Sequence, residues 1–123
     1  DLTDKKVLLY RKEKKKYNIK NNFVGNLPNK GDVVLIVDDV VSSGNTISGA
    51  VRKLKRLGCT VKVVAIFSYG WDKQISKNLD IDLRALSNAE ELINYGLSIN
   101  KMSAHNAQII RSFIESEEKR LAR

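Results

Sequence analysis

The sequence has very little of several residue types that define particular classes of protein. It contains one cysteine, Cys59, one histidine, His105, and one proline in 123 residues. A single cysteine cannot form a disulfide within the chain, and no Cys/His cluster suggests a zinc site. No apolar run approaches the roughly 20 residues that span a bilayer. We therefore expect a cytoplasmic protein with no membrane partner and no protein-built metal site, in which Cys59 is a packed thiol and His105 a surface residue.

Positive charge is unevenly distributed along the chain. The net charge is +8, and residues 1–30 supply six of those eight charges. An anionic partner is expected near this segment, and nucleic acid, polyphosphate or a membrane surface would each fit the charge alone.

The most informative stretch is residues 33–46, which read VVLIVDDVVSSGNT. Residues 33–37 form an apolar run without polar alternation, which predicts a strand buried on both faces of a parallel sheet. The adjacent carboxylates Asp38 and Asp39 follow it. Residues 42–46 are small or hydroxylated and predict a tight loop that opens onto a helix N-terminus, where backbone N–H groups favour an anion. We interpret the acidic pair as a site for sugar hydroxyls and the loop as a phosphate site; the alternative is an ordinary strand-to-helix turn with solvated aspartates.

The remaining elements follow from periodicity and turn residues. Strands are expected at residues 7–10 and 23–27, joined by a basic segment at about 11–22 that is either a mobile flap or a solvated charge run. Residues 46–57 predict an amphipathic helix with a solvated basic side, and Gly58 predicts its end. Residues 60–67 predict the next strand of a right-handed βαβ unit. Tyr69 and Trp71 follow this strand, at the edge where α/β sheets bind ligands, and are interpreted as base-pocket, core or dimer-contact residues.

The last third of the chain predicts a short strand and two helices. Residues 81–86 predict the strand, and Ser87 with Glu90 has the spacing of a capping box. A final helix from about residue 103 is expected to turn four side chains inward: Ala107, Ile110, Phe113 and Ile114.

The central stretch resembles the signature of the type I phosphoribosyltransferases, an apolar strand followed by two acidic residues and a loop rich in Thr, Ser and Gly. The resemblance implies a Rossmann-like α/β fold with a parallel sheet, forming a single domain over residues 1–123. It also implies that Asp38 and Asp39 bind the ribose hydroxyls of phosphoribosyl pyrophosphate (PRPP), with Mg²⁺ bound mostly through the substrate. The loop that would wrap the 5′-phosphate consists of Val41, Ser42, Ser43, Gly44, Asn45 and Thr46.

The basic segment resembles the flexible loop of orotate phosphoribosyltransferases, which carries the pattern Arg-Lys-Glu-x-Lys and contacts pyrophosphate, commonly across a dimer. Arg11, Lys12, Glu13 and Lys15 fall on this pattern, so Lys15 is expected to be catalytic and Arg11 and Lys12 to bind substrate. Tyr17 stands where the family often has histidine and is expected to bind phosphate through its phenol. The resemblance thus implies a homodimer.

The resemblance covers nearly the whole chain but corresponds to the C-terminal part of a longer family member. The chain begins at Asp1 and its only methionine is Met102, so we expect a piece of a longer polypeptide that lacks an N-terminal portion, is weakly active alone and exposes a sheet edge. The expected reaction transfers ribose 5-phosphate from PRPP to orotate. Two alternatives remain open: a PRPP-sensing regulatory protein that binds nucleic acid, and a phosphoribosyltransferase for another base. Nucleic acid is the less favoured partner, because the charge is concentrated in the flap and no recognition motif lies near it.

Overall fold

The computed structural model describes residues 5–11 and 22–121. The positions predicted for Lys12, Glu13, Lys15 and Tyr17 lie outside the described residues. The elements in chain order are β1 (Leu9–Tyr10), β2 (Phe23–Val24), β3 (Val33–Val41), α1 (Asn45–Arg56), β4 (Thr60–Ser68), α2 (Asp72–Leu79), β5 (Asp82–Asn88), α3 (Ala89–Ser98) and α4 (Ala104–Leu121).

The centre of the fold is a three-stranded parallel sheet in the order β3-β4-β5. Its register pairs Val37 with Val64 and Val64 with Arg84. The predicted βαβ unit is therefore confirmed, with α1 as the connection between the first two strands. Parallel strands place their carboxyl ends at one edge of the sheet, so the residues that follow β3 and β4 lie close together.

One face of the sheet carries the hydrophobic core. Val61 and Val63 of β4 are almost fully buried, and they pack in one cluster with Val51 and Leu54 of α1 and Ile75 of α2. The helical spacing of the apolar residues in α1 explains this packing, because residues three and four apart share one side of a helix. Both connecting helices thus cover the same face, which we call the covered face.

The opposite face of the sheet is exposed, whereas we predicted that both faces of β3 are buried. The side chains of β3 alternate between exposed and partly buried, and Val33, Leu35 and Val37 are 66%, 58% and 70% exposed. Ile66 of β4 and Leu86 of β5 share this side of the sheet by register and are 60% and 76% exposed. The expectation that β3 is buried on both faces is therefore wrong for this chain. We call this patch of five residues the open face.

The short hairpin of β1 and β2 is antiparallel, as predicted, and packs against α1. Asn22, which is 8% exposed, donates a 2.8 Å hydrogen bond to the carbonyl of Arg11 and accepts one from Lys53 of α1. The Lys53 ammonium also lies 6.0 Å from the centre of the Tyr10 ring. Lys55 forms a 2.8 Å ion pair with Asp80. The basic side of α1 is thus only partly solvated, since two of its lysines hold neighbouring elements.

The part of the chain after β4 contains three differences from the predictions. Helix α2 was not predicted. The capping box at α3 consists of Asn88 and Glu91, one residue later than predicted. Ala107 is buried and Ile114 packs on the core, but Ile110 and Phe113 are 37% and 55% exposed, so their inward placement is wrong. Within the described part of the chain, no helix is both long enough and apolar enough to cross a membrane.

Candidate functional site

The acidic pair stands near the carboxyl end of β3. Asp38 is partly buried and Asp39 is exposed. The backbone N–H of Asp39 donates to Asp38 Oδ1 at 3.0 Å, and the backbone N–H of Val40 donates to Asp39 Oδ1 at 2.7 Å. Neighbouring strand residues start on opposite sides of a sheet, but the Asp39 side chain reaches close enough to interact with the Asp38 carboxyl. The pair can therefore contact neighbouring groups of one ligand.

The electrostatics of Asp38 reflect its surroundings. Burial raises the pKa of its carboxyl above the usual value, and the hydrogen bond and negative charge of the Asp39 side chain add to the rise. The backbone hydrogen bond from Asp39 acts in the opposite direction. A raised pKa means that ionised Asp38 is less well solvated than a free carboxylate. A polar ligand group that hydrogen-bonds to it would therefore offset part of the desolvation free energy.

The loop between β3 and α1 has a conformation that only glycine adopts without strain at its turning point. Gly44 is buried, adopts φ 76° and precedes the first residue of α1. A Cβ atom at this position would lie 2.9 Å from Ile75 Cγ2 of α2. The loop is therefore fixed by both its backbone conformation and its packing on α2.

The other loop residues face solvent or fix the helix start. Ser42, Asn45 and Thr46 are exposed. Ser43 Oγ accepts a 3.4 Å hydrogen bond from the backbone N–H of Asn45, whereas Gly44, the N-cap residue, provides no side-chain cap. The N-terminus of α1 therefore presents backbone N–H groups and exposed hydroxyls together, an arrangement suited to a phosphate group.

An aromatic row lies beside this loop at the end of β4. The Tyr69 and Trp71 rings are stacked, with centroids 5.6 Å apart and planes 19° apart, and Phe67 meets Tyr69 edge-on at 5.8 Å. The Tyr69 backbone N–H donates to the carbonyl of Val41 at 3.3 Å, which joins the row to the loop. Trp71 is buried and its Nε1 donates to the Ile114 carbonyl of α4 at 3.2 Å, while Tyr69 is 37% exposed. Tyr69 thus offers a ring at the ligand edge, and Trp71 supports it.

Of the predicted flap residues, the structure places only Arg11. Its exposed side chain lies at the end of the hairpin, where the Arg11 N–H donates to the Asn22 carbonyl at 2.8 Å. The contacts of Asn22 and Tyr10 with α1 hold the two described ends of the basic segment on the helix that follows the Gly44 loop.

The described residues contain no group of three or more His, Cys, Asp or Glu side chains placed to hold a metal ion. Mg²⁺ is commonly bound by one or two carboxylates together with substrate phosphates and water. The two carboxylates at this edge therefore fit an ion that arrives with a phosphorylated substrate, rather than a resident ion in a protein cage.

A parallel βα unit with an acidic pair and a loop of small residues at one sheet edge is the arrangement found in α/β domains that bind nucleotides or sugar phosphates. Residues 7–98 match the phosphoribosyl transferase domain family, and the chain belongs to this family. The match includes the acidic pair, the loop and the aromatic row.

The relatives are named for one enzyme. The chain is 34% identical over 106 residues to orotate phosphoribosyltransferase of Malacoplasma penetrans, and the match covers 84% of this chain and 51% of that protein. It is 35% identical over 104 residues to the Staphylococcus haemolyticus protein of the same name, which it covers to 52%. The chain therefore spans about half the length of these curated relatives, which it resembles as a C-terminal part.

A solved structure supports the fold. Leishmania donovani UMP synthase superposes with a TM-score of 0.61 at 26% identity, over 82% of this chain and 23% of that one. The resemblance to the type I phosphoribosyltransferases is confirmed, and with it the α/β class. The family is one of glycosyltransferases, and the named relatives are orotate phosphoribosyltransferases and a UMP synthase.

Two features that support the site were missed from the sequence. Ile75, which packs against Gly44, lies in the unpredicted helix α2. The contact of Lys53 with Asn22 was missed because the side chains are 31 residues apart and nothing in either local pattern links them.

Proposed function

We propose that the chain provides the PRPP-binding half of an orotate phosphoribosyltransferase. The observation that carries this proposal is the joint placement of the Asp38–Asp39 pair and the Gly44 loop at the end of β3, at the start of α1. The pair would hold the two ribose hydroxyls, and residues 41–46 would hold the 5′-phosphate.

The chemistry required of the protein is mainly electrostatic. When pyrophosphate leaves C1 of PRPP, positive charge develops on the ribose ring. The carboxylates at the end of β3 would favour that charge, and fixing both the phosphate and the hydroxyls would hold C1 in position for the base. Mg²⁺ bound with the substrate would neutralise part of the pyrophosphate charge.

The flap would act on the leaving group. Its sequence pattern, Arg11-Lys12-Glu13-x-Lys15, supports a role for Arg11, Lys12 and Lys15 in binding pyrophosphate, with Tyr17 as a further phosphate contact. Arg11 stands at the end of the hairpin that contacts α1 at Lys53. This contact lies about 12 Å along the helix from the Gly44 loop, so the loop is also accessible to a flap from another subunit. A flap from a neighbouring subunit would require a homodimer, and we propose that state for the active enzyme.

Orotate is the proposed base because the relatives are named for it. Tyr69 is the candidate ring against which it would lie, since it is partly exposed beside the loop and supported by Trp71. A purine or another pyrimidine remains the alternative, and a base panel with PRPP separates them through pyrophosphate release.

The first test is calorimetric titration of PRPP with Mg²⁺. One preparation is the chain alone. The other is the chain expressed together with the complementary half, which we define as the part of the Malacoplasma penetrans relative that lies outside the match to this chain. We expect a binding heat that is lost in the variant Asp38→Asn/Asp39→Asn and retained in Asp80→Asn, whose carboxylate pairs with Lys55 instead. An unchanged heat in the double variant would refute the site, as would absence of heat in both preparations.

A sensor that binds nucleic acid is tested by titrating a short duplex and a single strand at low salt. Binding that falls steeply with added salt, without pyrophosphate release from PRPP in any base mixture, would favour the sensor over the enzyme.

A further inference from the structure

The aromatic row of Phe67, Tyr69 and Trp71 is attached to the Gly44 loop through its middle residue. The Tyr69 backbone N–H donates to the carbonyl of Val41, where the loop begins, at 3.3 Å. The Tyr69 ring contacts Phe67 edge-on and stacks on Trp71. Both the backbone and the ring of Tyr69 are therefore fixed relative to the loop.

The turn that follows β4 is fixed as well. Ser68 is fully buried, and its Oγ accepts a 3.1 Å hydrogen bond from the Gly70 backbone N–H. Gly70 has φ 100°, in the region that favours glycine. The Trp71 carbonyl accepts a 3.0 Å hydrogen bond from the Ile75 N–H of α2. The chain thus passes directly from the strand into α2, and Tyr69 is the most exposed ring of the row.

Trp71 connects the row to the C-terminal helix. Its side chain is 5% exposed and packs in the hydrophobic core. Its Nε1–H donates to the Ile114 carbonyl of α4 at 3.2 Å. A buried indole N–H needs an acceptor, so this hydrogen bond determines where the indole ring lies. The indole ring in turn supports Tyr69, and α4 is therefore linked to the ring at the ligand edge.

Helix α4 lies outside the family match, which covers residues 7–98. It is nevertheless attached to the matched domain at more than one point. Ile114 packs on the core, and Arg111 forms a 2.6 Å ion pair with Glu90 of α3. These contacts fix the position of α4, and the hydrogen bond from Trp71 relates that position to the aromatic row.

We propose that Trp71, held by α4, is a positioning residue for the base. It keeps the Tyr69 ring in the plane on which a planar heteroaromatic base stacks while the attached ribose 5-phosphate occupies the acidic pair and the Gly44 loop. The hydrogen bond from Tyr69 to Val41 fixes the separation of the two subsites. This inference rests on the proposed function, because it requires the phosphate site of that proposal, and it gives α4 a role in base binding.

The test measures how much a base adds to the affinity for ribose 5-phosphate. Ribose 5-phosphate and the 5′-monophosphates of orotidine, uridine and adenosine are titrated by calorimetry into the chain expressed with its complementary half. We define the base increment as the dissociation constant of ribose 5-phosphate divided by that of the tightest nucleotide. This ratio isolates the base, because the ligands share the sugar and the phosphate.

Three variants and one control separate positioning from folding. Tyr69→Leu and Trp71→Leu should each lower the base increment by about fivefold or more, because stacking on the base is lost or misaligned. Trp71→Phe keeps a ring but has no indole N–H and should lower it about threefold. Leu83→Ala changes a similarly buried core residue and should leave it within about twofold of the parent. The affinity for ribose 5-phosphate should be unchanged in all four.

Fluorescence provides a second readout. Trp71 is the only tryptophan of the chain, so the difference in emission between the parent complex and its Trp71→Phe variant reports on this side chain. The tightest nucleotide should change this emission, ribose 5-phosphate should change it much less, and Tyr69→Leu should abolish the change. A purely structural role of Trp71 would not distinguish the two ligands.

The outcomes separate this inference from the proposed function. If ribose 5-phosphate does not bind to the parent complex, both are refuted. If it binds but no base adds affinity, or if Leu83→Ala lowers the base increment as much as Trp71→Leu, the positioning role is wrong and the phosphate site stands. A Trp71→Phe variant equal to the parent would overturn the link to α4. Circular dichroism checks folding, and Tyr69→Leu with Trp71→Phe carries the test if Trp71→Leu is unfolded.

Discussion

Valine side chains lie on both faces of the three-stranded sheet, but in different surroundings. Val61 and Val63 of β4 are 4% and 2% exposed beneath α1 and α2, whereas Val33 and Val37 of β3 are 66% and 70% exposed. Local sequence decides which residues form strands, but connectivity decides which face is covered. The covered face supports the Gly44 loop through α1 and α2, whereas nothing in the described part of the chain covers the open face.

The largest expected effect comes from comparing two leucines of β5. Leu83 lies on the covered face at 7% exposure and Leu86 on the open face at 76%. Leu83→Ala should lower the free energy of unfolding by about 2–4 kcal/mol because it leaves a cavity. Leu86→Ala should change it by less than about 0.5 kcal/mol. Urea denaturation of both variants checks this, and equal losses would show that the open face is covered within the chain.

A second comparison concerns two glycines with positive φ. Gly44, φ 76°, packs against Ile75, while a Cβ at Gly31, φ 91°, would meet nothing within 4 Å. Alanine strains the backbone at both, at a cost of roughly 1–3 kcal/mol. Gly44→Ala should cost more than Gly31→Ala, because α2 must also move, and only Gly44→Ala should abolish the PRPP heat. Equal denaturation midpoints would contradict the packing of the loop on α2.

Two asparagine variants test whether the contacts of the hairpin with α1 stabilise the fold. Asn22→Ala removes the hydrogen bonds to Arg11 and from Lys53, and should destabilise the fold by about 1–2 kcal/mol. Asn78→Ala, which removes only the exposed bond from Gln74, is the control and should cost less than about 0.5 kcal/mol. Thermal unfolding measures both. A loss in the control that matches Asn22→Ala would show that the anchor contributes nothing particular.

The smallest expected effect is a pH dependence of opposite sign at two aspartates. Since burial raises the pKa of Asp38 in the folded protein, ionisation opposes folding, and this penalty appears as pH rises through that pKa. Asp38→Asn should therefore gain stability relative to the parent chain as pH increases from 3 to 7.

Lys55 lowers the pKa of Asp80, so the favourable contribution of that carboxylate is present above its unfolded pKa and is lost as pH falls through the folded value. Asp80→Asn should consequently lose relative stability between pH 3 and 7. Asparagine tolerates the φ of 51° at this position, so the backbone should be unaffected. Denaturation curves at the two pH values that shift in the same direction for both variants would contradict these assignments.

The parts of the fold that the sequence predicted are those where a local pattern decides the structure. The apolar run before Asp38 specifies the strand, and the small residues through Thr46 specify the loop. The helical spacing of apolar residues specifies α1. Each boundary is correct to within a few residues. The exposure of Val33, Leu35 and Val37 could not be predicted in this way. An apolar run indicates that a strand can be buried, but it does not indicate whether other elements are present to cover it.

The other errors have similar causes. Helix α2 contains only Ile75 and Leu79 as large apolar residues, too few for a periodic signal. Two adjacent glutamates, Glu90 and Glu91, each had a polar residue three positions earlier, so local spacing could not select the cap. The exposure of Phe113 depends on how α4 approaches α3, which is a tertiary contact. The roles of Lys15 and Tyr17 stay predictions.

The most direct test of the central claim is a ¹⁵N–¹H NMR titration of the chain, together with its complementary half, with PRPP and Mg²⁺. We expect the amides of residues 38–47 to shift at the lowest ligand concentrations, those of α4 to remain unchanged, and all shifts in residues 38–47 to disappear in Asp38→Asn/Asp39→Asn. Early shifts confined to α3 or α4, or loop shifts that persist in the double variant, would contradict the assignment of this edge as the PRPP site.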